Sequence, residues 1–263
     1  MIDYDSPDFW SNLAEVLLKG TGETLYMVGV ATVLTIVIGL PLGILLVGTE
    51  KGAFLERALG PVWVARTVNR VLGFVVNVGR SVPFIILMIA LIPFTRWLIG
   101  TFVGTTASIV PLTIIAIPFF ARMVEIAVND VAPGLYETAD ALGATRWQLV
   151  RRVLLSESMP AILLGVSTTI TSIINFSAMV GVVGGGGLGN VAITYGFQRY
   201  SWIHIVFVVI ILFAIVQLVQ LVLTRIAVRV SHRGGADGRR ARTGTARTRT
   251  SRTSLTPSEG AAP

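Results

Sequence analysis

The 263-residue chain contains no cysteine, which excludes disulfide frameworks, thiolate metal sites and cysteine nucleophiles. Its two histidines, His204 and His232, are too far apart for local metal-ligand spacing and fall in no HExxH pattern, so a zinc centre is not expected. Charge is scarce as well: 13% of the residues are Asp, Glu, Lys or Arg, against roughly 25% in soluble domains. No GxxxxGK[ST] phosphate loop occurs, so any ATP that is used must be bound by another protein. The stretch Gly184 to Gly189 formally holds GxGxxG, but it follows an apolar helical run rather than a strand. It reads as a flexible external turn or a re-entrant segment whose glycines permit positive φ and close packing.

What is abundant is apolar surface. Hydrophobic residues make up 53% of the chain, with 27 glycines and a mean hydropathy of +0.77, more than a water-soluble body of this size buries. The expected solvent is lipid. A spanning helix needs about 20 apolar residues, and five runs qualify, at about 24–49, 71–95, 103–125, 158–182 and 201–224. Pro41 between Gly39 and Gly43 predicts a late kink in the first. Arg80 interrupts the second, and the third closes on Arg122 and Glu125, spaced to share a helix face. Residues 1–23 are expected to form an external segment with a short helix, Ser6 and Pro7 supplying cap and first position. The glycine-rich 181–196 stretch is expected to be irregular and external. Residues 231–263, rich in Arg, Thr, Ser, Gly and Ala, are predicted to be a disordered basic tail. The fold class is therefore an all-α polytopic membrane protein with five transmembrane helices.

Sixteen of the 21 basic residues fall on one side of this layout. The positive-inside rule then puts the amino terminus outside and the carboxyl terminus in the cytoplasm. The acidic start lacks a basic n-region, so a cleaved signal peptide is not expected. The net charge of +7 resides largely in the tail, where it suits anionic lipid headgroups; a specific RNA- or protein-binding role for the tail is the alternative, but nucleic acid is not expected as a partner.

All 14 carboxylates lie outside the middles of the spans, so the mid-membrane relays of proton-coupled carriers are missing. Arg80 stands apart. It either snorkels from a late-starting helix, lines a path or pairs across an interface. Ser81, Ser172 and Ser177 have no membrane-embedded base to activate them, so intramembrane hydrolysis is not expected and no catalytic residue is assigned. The polar run Thr168, Thr169, Thr171, Ser172, Asn175 and Ser177 either lines a path or packs helices. Asn175 and Met179 share a face. Candidates for a translocation path are Ser81, Ser172, Asn175 and Met179.

Between the third and fourth spans, residues 130–157 form an amphipathic segment on the expected inner side. Pro133 suits a helix start, Leu135, Ala139 and Leu142 recur at helical spacing, and Gly143 is a natural stop. Thr145 and Gln148 then form a capping-box pair that opens a second short helix through Leu155. Periodicity alone describes a helix lying on the bilayer surface.

The residues say more. Glu137, Thr138, Ala139, Gly143 six positions after the glutamate, then Val153, Leu155 and Pro160, resemble the EAA signature of ABC-importer permeases. Thr138 replaces the middle alanine and Ser156 stands where a proline is common. Together with "RSVPFIILMIALIPFTR", "IVPLTIIAIPFFARMVE" and "SAMVGVVGGGGLGNVAITYGFQRY", the chain from Phe9 to Arg229 is similar to the methionine-import permeases of the ABC class. That resemblance implies a type I importer permease fold and a homodimer, with two ABC ATPase subunits that hold ATP and Mg, and an external methionine-binding protein or lipoprotein. It implies no cofactor and no enzymatic activity on this chain. It makes 130–157 a coupling segment in which Glu137, Ala139, Gly143 and Ala144 meet the ATPase, and L- or D-methionine the solute moved by alternating access. The alternatives are a permease of the same class for another amino acid or an osmolyte, an energy-independent channel or secondary carrier, and a membrane anchor that transports nothing.

Overall fold

The computed structural model describes residues 7–51, 53, 54 and 61–234, and every regular element among them is helical. The first helix, α1, runs unbroken over Pro7–Gly48 for 42 residues. The short external helix and the first span expected from the sequence are thus one rod. Packing explains the merger. Phe9, Leu13 and Leu17, spaced by four, form a buried cluster with Leu188, Val191 and Val208, and the absence of a side chain at Gly20 lets Val191 approach. These contacts hold the Gly20–Gly22 stretch helical against its weak propensity. The helix also passes through Pro41, and a Cβ on Gly43 would collide with Val124 of a neighbouring helix. The two glycines beside Pro41 therefore serve close approach.

Helix α2 spans Val62–Ser81, starting nine residues before the expected span. Asn69 ties this early part to α1, its Nδ2 donating to the carbonyl of Leu46 at 2.8 Å and to Thr49 Oγ1 at 3.2 Å. The expected span 71–95 is then broken. Between α2 and α3 (Phe84–Ala90) the axis bends by 109°. Pro83 is the cause: it biases Val82 to extended backbone (φ −79°, ψ 129°) and has no N–H to continue the ladder. Helix α4 (Ile92–Ile99) follows and stops at Gly100.

Helix α5 (Thr105–Asn129) is the axis of the bundle, with Leu112, Phe120, Val124 and Val128 fully enclosed. One cluster packs Met27 and Ala31 of α1 against Leu112 and Ile173, and a second joins Val47, Phe120, Val128, Ala139, Leu149 and Leu154 at the opposite end. After α6 (Pro133–Ala141) and a turn, α7 (Arg146–Gln148) runs through a π-helical turn (Leu149–Leu154) into α8 (Leu155–Val180). The glycine-rich stretch, expected to be irregular, is folded: a short turn at Gly181–Val183, α9 (Gly187–Val191) and a π-helical segment (Ala192–Gln198). Helix α10 (Trp202–Gly234) completes the chain. Four rods are long and apolar enough to cross a membrane, and the bent α2–α3 pair supplies a fifth candidate. Most of the predicted tail lies outside the described residues.

Candidate functional site

Two surfaces carry the residues singled out in the sequence. The first is the α6–α7 corner. Pro133 occupies the first turn of α6, and the helix ends in a Schellman motif: Gly143 N–H donates to the Asp140 carbonyl and Ala144 N–H to that of Ala139, each at 3.0 Å. This requires φ of +69° at Gly143, a conformation that costs little for glycine alone. Two residues on, Thr145 N–H donates to Gln148 Oε1 at 2.9 Å and Gln148 N–H to Thr145 Oγ1 at 3.3 Å, closing a reciprocal capping box. Stop and start are therefore fixed by local hydrogen bonds at the positions the sequence marks.

The side chains sort differently from expectation. Glu137 and Gly143 are exposed and Ala144 is half-buried, but Ala139 is buried against its own subunit, in the cluster with Val47, Val131 and Leu149. Its small size lets α6 lie on the bundle, and the open surface of the corner is formed by its neighbours. What stands out instead is Leu142, 81% exposed, and Trp147, 68% exposed, on either side of Gly143. The signal for them was two large apolar residues in an otherwise polar loop. Beside α6 opens a cavity of about 580 Å³ lined by Glu50, Lys51, Tyr136, Glu137, Asp140 and Arg146. Burial, followed by the nearby Glu50 carboxylate, raises the pKa of the Tyr136 phenol and keeps it neutral. On α5, Arg122 and Glu125 form the ion pair their spacing suggests.

No break in the helix marks the expected boundary between coupling segment and fourth span, since the chain is helical without interruption from Arg146 to Val183, 38 residues. The corner is thus the end of the same rod that carries the second surface, a face of α8. Thr168, Asn175 and Met179 are exposed there and Ser172 is half-buried, at spacings of four, three and four that make one stripe. Thr169 and Ser177 point inward and return their hydroxyls to carbonyls of their own helix, at 2.8 and 2.7 Å. Thr171 accepts from Gln220 of α10 at 3.3 Å. The polar run thus splits into an open face and a packing face. Ser81 lies exposed at the end of α2, donating to the Asn77 carbonyl at 2.8 Å, and Phe84 beyond the bend stacks on Phe176 of α8 with ring centroids 4.8 Å apart.

One contact between distant elements escaped the sequence. Glu23 Oε2 accepts from Gly187 N–H at 2.7 Å and Thr24 Oγ1 from Leu188 N–H at 2.9 Å, so α1 caps the start of α9. Gly184, Gly186 and Gly187 all have positive φ, and the GxGxxG stretch serves this docking. Among the described residues no cluster of three metal-ligating side chains is present.

An all-helical bundle of long apolar rods, one of them sharply broken, with a capped corner projecting at one end, defines a multi-pass membrane protein of the type I importer permease fold. The chain belongs to the family of binding-protein-dependent transport system inner membrane components, whose family model matches residues 39–233. It is 48% identical over 220 residues to the "Probable D-methionine transport system permease protein MetI" of Vibrio cholerae, covering 84% of this chain and 94% of that one. It is 40% identical over 171 residues to the "Methionine import system permease protein MetP" of Bacillus subtilis, covering 64% and 77%. A solved structure described as "Inward facing conformations of the MetNI methionine ABC transporter" superposes with a TM-score of 0.78 at 40% identity, over 86% of this chain and 99% of that one.

Proposed function

We propose that this chain is the membrane-spanning subunit of an ATP-driven importer of L- or D-methionine. It works as a homodimer with two ABC ATPase subunits, which hold ATP and Mg and carry out the hydrolysis, and with an external methionine-binding protein or lipoprotein. Its amino terminus lies outside and its carboxyl terminus in the cytoplasm. The observation that carries the proposal is the α6–α7 corner: a helix stopped by Gly143, flanked by exposed Leu142 and Trp147, and continuous through α7 with the α8 rod. Seated in a groove of an ATPase, such a corner moves α8 as a lever when the ATPase pair closes. The open stripe of Ser172, Asn175 and Met179, with Ser81 at the end of α2, then lines the path between the two copies and alternates its access. Differential docking in the two states supplies the driving free energy. The solute assignment is supported by the named relatives.

The test is Gly143→Trp. A non-glycine residue is strained at this φ and adds bulk between Leu142 and Trp147. Membrane insertion is expected to survive while co-purification with the ATPase is lost. Normal co-purification of the variant would remove the docking role.

A further inference from the structure

We infer that Arg80 binds the carboxylate of the solute in mid-passage, which makes it a specificity-determining residue of the translocation path. The inference rests on the importer function proposed above. Its first support is depth. Helix α2 starts at Val62, so Arg80 lies about 27 Å along it by the rise of an α-helix, at its far end and not at the start of a late-starting helix. Gly79, the adjacent residue, packs directly on Pro118: a Cβ there would lie 2.8 Å from the proline Cγ. Pro118 is at the middle of the 25-residue α5. Arg80 therefore sits half-way through the bundle, at the break where α2 stops.

Its second support is the lack of a counter-ion. No Asp or Glu occurs at 24–48, 62–99, 105–124, 158–180 or 202–234. The acidic residue of α5 nearest this level, Glu125, lies seven residues past Pro118 and is already paired with Arg122. Arg80 is exposed in the isolated subunit, and an arginine held against lipid tails at mid-depth is strongly unfavourable, so it faces a hydrated path.

Its third support is placement. Phe84, four residues on, stacks on Phe176, next to Asn175 of the open α8 stripe. The helix that begins beyond the bend thus leans on α8, with Arg80 and Ser81 on the turn just before it. A lone guanidinium there offers charge-assisted, bidentate hydrogen bonds to a carboxylate and repels cationic solutes.

The test uses the permease with its ATPase and binding protein in proteoliposomes, following radiolabelled L- and D-methionine and a panel of other amino acids. With yield and ATPase co-purification as folding controls, Arg80→Gln is expected to lower uptake about tenfold or more, and Arg80→Lys to restore most of it, the scale of one lost charge-assisted contact. Uptake by Arg80→Gln at the wild-type rate, or an Arg80→Lys variant as impaired as Arg80→Gln, overturns the assignment. If the wild-type complex carries another amino acid in place of methionine, the solute proposal falls and the same variants decide on Arg80 with that solute. If it carries no amino acid, both proposals fall.

Discussion

At the scale of single residues, the corner between α6 and α7 is held by three side-chain choices whose effects are separable. Thr145 and Gln148 close a capping box, so Thr145→Ala should cost about 1 kcal/mol of local stability, read as faster amide exchange at 145–149. Gly143→Ala should cost about as much, because φ is +69° there. Leu142→Asp and Trp147→Asp alter side chains that touch little of their own subunit. Both are expected to leave thermal stability within a degree or two and to weaken ATPase co-purification severalfold; unchanged co-purification in both would show that the exposed pair is not an interface. The stop at Gly143 and the start at Thr145 were legible in the sequence because neighbouring residues make those hydrogen bonds. The inward orientation of Ala139 was not legible, because Val47 and Leu149, which it packs against, are distant or belong to another element.

At the scale of elements, apolar runs of sufficient length were readable one by one, but their limits depend on partners. Helix α2 begins at Val62 although Arg66 and Arg70 make its first turns look like loop, because Asn69 fastens it to Leu46 and Thr49. The bend at Val82–Pro83 could be anticipated as a proline effect, but its 109° and the stacking of Phe84 on Phe176 beyond it could not, because that partner lies on another element. Helix α1 absorbs the amino-terminal segment because α9 packs along it. Glu23 is the hinge of that arrangement, and Glu23→Ala leaves the Gly187 N–H without its acceptor. The expected result is a loss of about 1–3 kcal/mol, visible as a lower melting temperature in detergent, with Glu23→Gln close to wild type. Equal losses in both variants would mean that the hydrogen bond is not what stabilises the docked α9. Gly79→Leu forces α2 away from Pro118 and should lower the yield of folded protein through overpacking.

At the scale of the whole molecule, the single subunit leaves unfinished surfaces in two places. Helix α10 is apolar and largely uncovered, with Phe213 and Leu218 more than 60% exposed, as suits lipid. The α8 stripe is polar and uncovered, as suits a path completed by a second copy. Between them the α7–α8 rod runs from Arg146 past Asn175 as one continuous helix, so in the proposed mechanism a displacement of the α7 end is passed to the stripe. ATP-dependent methionine uptake in proteoliposomes holding this chain with the proposed ATPase and binding protein measures that connection most directly. The account predicts uptake that requires ATP and is lost when Leu142 and Trp147 are both changed to Asp. Uptake that proceeds without ATP, or that survives the loss of both side chains, would contradict it.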